Sequence, residues 1–179
     1  MSVIDFEKFV ELQLRVQALE DEKSIRACVG RYMDLCDHLS PATPLDELGN
    51  LFTEDAIWEG KGARYANSFG GHRGRDAIVA MLAKYCVEPS HFSLNVHYLA
   101  SELIVIGEGE AHGSWNMIQV SSFTSGGSHL NSARLEIDFR LENGKWRISH
   151  FQTENLFSRP VSRWNDDAHL PVPDSGSSQ

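Results

Sequence analysis

The chain has 179 residues, of which 41% are hydrophobic and 23% are charged, and its formal net charge is −9. This length suits one domain with a hydrophobic core, and the composition is typical of a globular protein. Nucleic acid is not an expected partner, because phosphate binding needs clustered basic side chains and the 16 Lys and Arg residues are scattered.

Cysteine usage and the N-terminal residues indicate a reduced, cytoplasmic protein. Cys28 and Cys36 lie in one predicted helix, roughly 12 Å apart, too far for a disulfide. The N-terminal residues carry charge in every turn, unlike a signal peptide, and no apolar run is long enough to span a membrane. Neither the histidines nor the glycines form a metal-binding or phosphate-binding motif. We therefore expect no metal and no cofactor.

The first predicted helix runs from about Leu19 to Asp37. Its apolar residues recur at helical spacing, as expected for a helix that packs on a core. They are Ile25, Cys28, Val29, Tyr32, Met33 and Cys36. A shorter stripe upstream, from Phe6 to Leu14, indicates either a preceding helix or an extension of the same one.

The remaining pattern predicts helices first and strands afterwards. A second short helix follows the break at 41–44, a strand covers 56–60, a glycine-rich loop covers 61–74, and a third helix covers 75–86. From residue 91 the sequence alternates as strands do, and Asn143-Gly144 is a strong hairpin signal. This order predicts an α+β domain with three N-terminal helices packed against one face of a curved, mostly antiparallel sheet. Residues 171–179 are predicted to form a loose tail.

Two polar residues stand out as possible catalytic groups. Asp37 lies at the edge of the apolar stripe that contains Tyr32, so it marks either a solvated helix end or a wall of a ligand cavity. His91 opens the first long strand, where period 2 places it on the same side as Asn95. A lone histidine there is commonly a surface residue. A buried imidazole held by a carboxylate would instead be suited to act as a general base.

Several motifs together resemble the NTF2-like superfamily in its SnoaL-like branch. They are the helix ending in Tyr-x4-Asp, the phrase LGNLFTEDAIWEG, the GHRGRDAI helix start, the H-x3-N strand and the terminal NGKWRISH hairpin. That branch includes scytalone dehydratase, bile-acid 7α-dehydratase and hexachlorocyclohexane dehydrochlorinase. The resemblance implies a cystatin-like cone over residues 15–157, preceded by a helical extension at 1–14 and followed by a C-terminal segment and tail at 158–179.

The resemblance also implies a site. Its dehydratase and dehydrochlorinase members use an Asp–His dyad, whose matching positions here are Asp37 and His91. The bile-acid enzyme has a tyrosine at the position of Tyr32. Some relatives place a basic residue on the last strand, where this chain has Phe151. The pocket is therefore expected to be apolar, with substrate-binding residues Trp58, Asn95, Trp115, Leu135 and Phe151; the aromatic residues could equally be plain core.

The function that this resemblance implies is a cofactor-independent lyase or isomerase, most simply a dehydratase, acting on a hydrophobic cyclic or aromatic small molecule. The alternatives are a non-catalytic ligand-binding or subunit-assembly domain and a polyketide-cyclase-like or epoxide-hydrolase-like enzyme. The last would need an Asp–Arg–Asp set, but alternation suggests that Arg134 and Asp138 face away from the pocket.

The resemblance further implies a homodimer or homotrimer, because the open sheet face of this fold is usually covered by another subunit. The segment 154–164 carries four apolar residues after the last strand. It is expected to cover either the pocket or an oligomer interface.

Overall fold

The computed structural model describes residues 3–68, 70–162 and 164. Its helices are α1 (Val3–Asp37), α2 (Leu45–Asn50), α3 (Gly62–Ser68) and α4 (Arg75–Ala83). Its strands are β1 (Phe52–Lys61), β2 (Gly71–Arg73), β3 (Phe92–Ile106), β4 (Glu110–Phe123), β5 (Ser128–Glu142) and β6 (Lys145–Val161). The predicted α+β class, with helices preceding a mostly antiparallel sheet, is confirmed.

The six strands form one sheet in the order β2-β1-β6-β5-β4-β3. β1 runs parallel to β6, and the other neighbouring strands are antiparallel. Strand β3 therefore lies at an edge, and two register shifts interrupt its pairing with β4. Such bulges bend a strand and increase its twist.

The core lies between the C-terminal half of α1 and the inner face of the sheet. Ile25 of α1, Phe52 of β1, Ile137 of β5 and Ile148 of β6 are all fully buried. The helical stripe read from the sequence is the face that α1 buries. Alternating residues of β5 point into this core, as period 2 requires for a strand with one buried face.

The hairpin between β5 and β6 forms where the sequence predicts it. Asn143 and Gly144 have φ angles of 52° and 75°. Positive φ at both central residues is the requirement of the type I′ turn, which matches the right-handed twist of the flanking strands.

The structure decides one alternative that the sequence left open and differs from the prediction at two boundaries. The upstream apolar stripe is an extension of the helix that carries the core stripe, since α1 is continuous from Val3. The predicted loop at 61–74 contains the short helix α3 and the strand β2. Residues 154–161 continue β6, while the predicted tail at 171–179 lies outside the described residues.

Within the described part of the chain, no helix is long and apolar enough to cross a membrane.

The buried face of β5 provides a test of this arrangement. Ile137 is 0% exposed and Leu141, on the same strand, is 40% exposed. Ile137→Ala should lower the free energy of unfolding by about 2–5 kcal/mol, because it leaves a cavity in the packed core. Leu141→Ala should cost less than about 1 kcal/mol. Urea denaturation monitored by circular dichroism measures both values, and equal losses would contradict the burial of Ile137 in the core.

Candidate active site

A carboxylate and an imidazole meet where the C-terminal end of α1 reaches β3. The Oδ1 atom of Asp37 lies 2.5 Å from Nδ1 of His97. Both side chains are largely buried, with exposures of 15% and 11% respectively. Because an ionised carboxylate only accepts hydrogen bonds, Nδ1 of His97 carries the hydrogen, and Nε2 is the acceptor in the neutral ring.

A backbone N–H group also holds Asp37 against His97. β3 is an edge strand, so its N–H groups that point away from β4 need other partners. The backbone N–H of His97 donates to both carboxylate oxygens of Asp37, at 3.1 and 3.3 Å. One carboxylate therefore holds the main chain and the ring of the same residue, which leaves the imidazole little freedom to turn.

Asn95 anchors the helix end to the sheet beside this pair. Its side-chain amide donates to the carbonyl oxygen of Cys36, at 3.1 Å. Its Oδ1 accepts from Gln119 at 2.9 Å and from Ser121 at 2.8 Å. The bond to Cys36 ties the residue before Asp37 to β3, and the bonds to Gln119 and Ser121 tie Asn95 to β4. Asn95 therefore sets the distance between α1 and the sheet at the site.

A cavity of about 450 Å³ opens beside the pair. His97 lines it, whereas Asp37 is not among the described lining residues. Asp37 therefore stands behind the imidazole as seen from the cavity. Cavities of this size are typical of small-molecule sites.

One wall of the cavity is aromatic. The rings of Trp58 and Phe151 are nearly parallel, with centroids 5.6 Å apart. Nε1 of Trp58 donates to the hydroxyl of Tyr32 at 3.0 Å. Burial raises the pKa of the Tyr32 hydroxyl well above its ordinary value, since a phenolate would be poorly solvated there. Tyr32 is thus a neutral hydroxyl at physiological pH.

The opposite wall is polar and comes from the strands. His97, Gln119 and Asn131 occupy neighbouring register positions on β3, β4 and β5, and all three line the cavity. Oδ1 of Asn131 accepts from the hydroxyl of Tyr65 at 2.9 Å. The amide of Asn155 donates to the same Oδ1, also at 2.9 Å. The cavity therefore offers an apolar surface and a row of fixed polar groups.

The expected pairing of Asp37 with His91 is corrected by the structure, in which Asp37 bonds to His97. His91 contacts the rings of Tyr85, Phe92 and Phe123. His91 lines the same cavity as His97, but it precedes His97 by six residues, roughly 20 Å along an extended strand. Asp37 bonds to the backbone and the ring of His97 and therefore does not reach His91.

The sequence did hold a signal for His97. Continuing the period-2 alternation from Asn95 by two residues reaches His97, which therefore lies on the same face of β3 as Asn95. Tyr65, Gln119 and Asn131 had no comparable signal. Tyr65 belongs to the stretch predicted as a loop, and polar residues on alternating strands do not reveal which face is the concave one.

Four of the five predicted substrate-binding residues line the cavity. They are Trp58, Asn95, Leu135 and Phe151, and Tyr32 lines the cavity as well. Trp115 is not among the described lining residues, which corrects its expected place. Its indole lies over Gly113, where a Cβ atom would come within 2.3 Å of the ring, and Nε1 donates to Glu102 at 3.1 Å.

Two polar residues considered in the sequence face away from the cavity. Arg134 and Asp138 are exposed and lie outside the described lining of the cavity, as alternation suggested. Asp138 instead contacts His112, with 2.7 Å between Oδ1 and Nδ1. Among the described residues, no group of three or more His, Cys, Asp or Glu side chains is arranged to hold a metal ion.

Comparison with known proteins places this fold and cavity in a family. Residues 17–152 match the family model of the SnoaL-like domain. The chain belongs to the SnoaL-like family. No curated protein matches the sequence.

Solved structures share the fold of this SnoaL-like protein at low sequence identity. A protein from Novosphingobium aromaticivorans proposed to be a scytalone dehydratase has a TM-score of 0.65 and 18% identity, over 90% of this chain and 97% of that one. Hexachlorocyclohexane dehydrochlorinase type 3 from Novosphingobium barchaimii has a TM-score of 0.67 and 15% identity, over 89% and 99%. An NTF2-like protein with a cystatin-like fold from N. aromaticivorans has a TM-score of 0.64 and 21% identity, over 82% and 89%.

Thiol reactivity tests the burial of α1. Burial raises the pKa of Cys28 to about 11 and that of Cys36 to about 12. At pH 8 the reactive thiolate is then roughly a thousandth or less of either residue. Iodoacetamide at pH 8 should label Cys86, the less buried thiol, before Cys28 and Cys36, as measured by peptide mass spectrometry. All three should react in guanidinium; rapid labelling of Cys36 in the native protein would contradict the burial.

Substitution of Asn95 tests its role as an anchor. Asn95→Leu removes three hydrogen bonds and leaves the Cys36 carbonyl oxygen without this donor, so the free energy of unfolding should fall by about 2–4 kcal/mol. Asn116→Leu on β4 is the matched control, because Asn116 is exposed and its loss should cost less than about 0.5 kcal/mol. Chemical denaturation measures both, and similar values would show that Asn95 does not anchor α1.

Proposed function

We propose that this SnoaL-like protein is a cofactor-independent lyase, a dehydratase in the simplest case, that acts on a hydrophobic cyclic small molecule. The observation that carries the proposal is the Asp37–His97 pair at 2.5 Å, with His97 in the wall of a cavity of about 450 Å³. Desolvation offsets most of the attraction in a buried carboxylate–imidazole pair, so stability alone does not account for it, and a cavity with a few convergent polar groups is typical of a small-molecule site.

His97 would act as the general base. With Nδ1 donating to Asp37, Nε2 is the nitrogen that accepts a proton from a ligand carbon next to a carbonyl group. Asp37 would act through His97, as a positioning residue: it fixes the tautomer and stabilises the imidazolium that forms.

The elimination balances within this site. The carbon–hydrogen bond breaks toward His97, its electron pair forms the new double bond, and the carbon–oxygen bond at the neighbouring carbon breaks. The departing hydroxide takes the proton from the His97 imidazolium and leaves as water. Tyr32 would donate a hydrogen bond to the carbonyl oxygen, where negative charge develops. As a neutral buried hydroxyl, Tyr32 is suited to this role.

The cavity supports a hydrophobic cyclic substrate. The stacked Trp58 and Phe151 rings, with Leu135 beside them, offer an apolar surface to a flat ring system. Asn95 is expected to contribute indirectly, because its amide is committed to Cys36, Gln119 and Ser121. The relatives that share the fold include a protein proposed to be a dehydratase and a dehydrochlorinase, and both names denote eliminations.

A fused-ring β-hydroxy ketone tests the proposal. The probe is 3-hydroxy-1-tetralone, which loses water to give 1-naphthol, and fluorescence of the product measures the rate. His97→Gln should lower kcat/KM by about 10² to 10⁴, the usual contribution of a general base. Asp37→Asn should lower kcat more than it raises KM, because it disturbs the base rather than binding.

Two histidine variants serve as comparisons. His112 lies on the exposed face of the sheet, so His112→Gln should leave kcat/KM within about twofold of the wild-type value. His91→Gln should cost less than His97→Gln, since His91 packs among aromatic rings. Equal rates for wild type and His97→Gln would overturn the proposal. Tight binding of 1-naphthol with no turnover would favour the non-catalytic ligand-binding alternative.

A further inference from the structure

The N-terminal arm, residues 6–20 of α1, packs against no other element among the described residues. Every described side chain from 6 to 20 is exposed, including seven large apolar ones. They are Phe6, Phe9, Val10, Leu12, Leu14, Val16 and Leu19. The first side-chain bond that ties α1 to the sheet comes from Asp21, whose Oδ1 accepts from Trp146 at 2.8 Å. An isolated helix of this length is marginal in water, so the arm needs a surface to pack against.

Four of the apolar residues form a coiled-coil seam. Phe9, Leu12, Val16 and Leu19 follow the 3-4-3 spacing of alternating a and d positions, and they are 50–66% exposed. At 100° per residue this seam lies about 150° around the helix from the stripe that packs on the core. A second helix placed on the seam would therefore not collide with the domain.

Charges beside the seam favour a second copy of this chain in parallel orientation. With Phe9 at an a position, Arg15 falls at g and Glu20 at e. In a parallel pair these two side chains face each other across the interface, five residues apart along the sequence, and attract. In an antiparallel pair centred on the seam, Arg15 would face its own copy and repel it. The outer g positions, Lys8 and Glu22, would face each other there, but Glu22 is already paired with Arg26 at 3.0 Å.

Gly30 gives a separate argument for a close helix neighbour. The seam face continues along α1 through Lys23, Ala27 and Gly30, all exposed. A Cβ atom built on Gly30 would meet nothing within 4 Å, so the fold of the single chain does not require glycine there. Glycine in the middle of a helix is nevertheless destabilising relative to alanine. A second backbone passing close to this face accounts for it.

We propose that two copies of this chain associate through α1 in parallel, with the seam of Phe9, Leu12, Val16 and Leu19 at the centre and the helices still close at Gly30. This surface is the helix face that points away from the sheet. It differs from the open sheet face that the family resemblance suggested as an interface.

Matched leucine variants test the surface. Leu12 lies on the seam and Leu14 lies about 160° away on the same arm; both are exposed. In the full-length protein, Leu12→Glu should weaken self-association at least tenfold, measured by sedimentation velocity over a concentration series. Leu14→Glu should change it less than threefold. Gly30→Leu should also weaken it, with unchanged helix content by circular dichroism.

Two further pairs of variants test the orientation. Leu19→Cys should form an interchain disulfide under oxidised glutathione, since d positions face each other in a parallel pair, whereas Leu14→Cys should not. Arg15→Glu should weaken association, and adding Glu20→Arg should restore it. A monomeric wild type, or equal effects of Leu12→Glu and Leu14→Glu, would overturn the interface. Loss of association in Leu12→Glu without a Leu19→Cys disulfide would overturn the parallel arrangement.

Discussion

The carboxylate of Asp37 joins the last turn of a long helix to an edge strand, and the geometry of the site depends on this junction. Its oxygens accept from both the backbone N–H and the ring Nδ1 of His97. Because one side chain satisfies the main chain and the imidazole together, a small displacement of α1 would disturb the edge of the sheet and the tautomer of the histidine at once. Asn95 limits that displacement by bonding to Cys36, the residue before Asp37.

A buried ion pair or hydrogen-bonded acid–base pair is weak evidence for stability, because removing the groups from water costs about as much as their attraction returns. The pair here lies behind a cavity with an apolar wall and a polar wall. Such a setting strengthens the few polar contacts that a ligand can make and excludes competing solvent. The same burial keeps Tyr32 protonated and therefore able to donate. The burial that forms the hydrophobic core therefore also supports the chemistry that we propose.

The sequence predicted the elements well wherever one periodicity continued without interruption. The core stripe of α1 through Asp37 and the Asn143-Gly144 hairpin are such cases, and the resemblance to the SnoaL-like family is confirmed by the family model over residues 17–152. The prediction failed where alternation alone left two candidates. Period 2 from Asn95 reaches both His91 and His97, and the family motif favoured His91, whereas the structure brings His97 to Asp37. Trp115 was misplaced because a side chain can lie back over a glycine two residues earlier on the same strand face.

By itself, the sequence determined the order of the long elements, the buried face of the main helix and the position of Asp37 at its end. These follow from local propensities and from hydrophobic spacing, which act over a few residues. Only the tertiary structure decided which histidine meets Asp37 and which polar residues of β3, β4 and β5 share a cavity. It also decided that the arm of α1 extends past the core. These features depend on strand register, bulges and the crossing of the helix over the sheet, which are set by contacts between residues far apart in the chain.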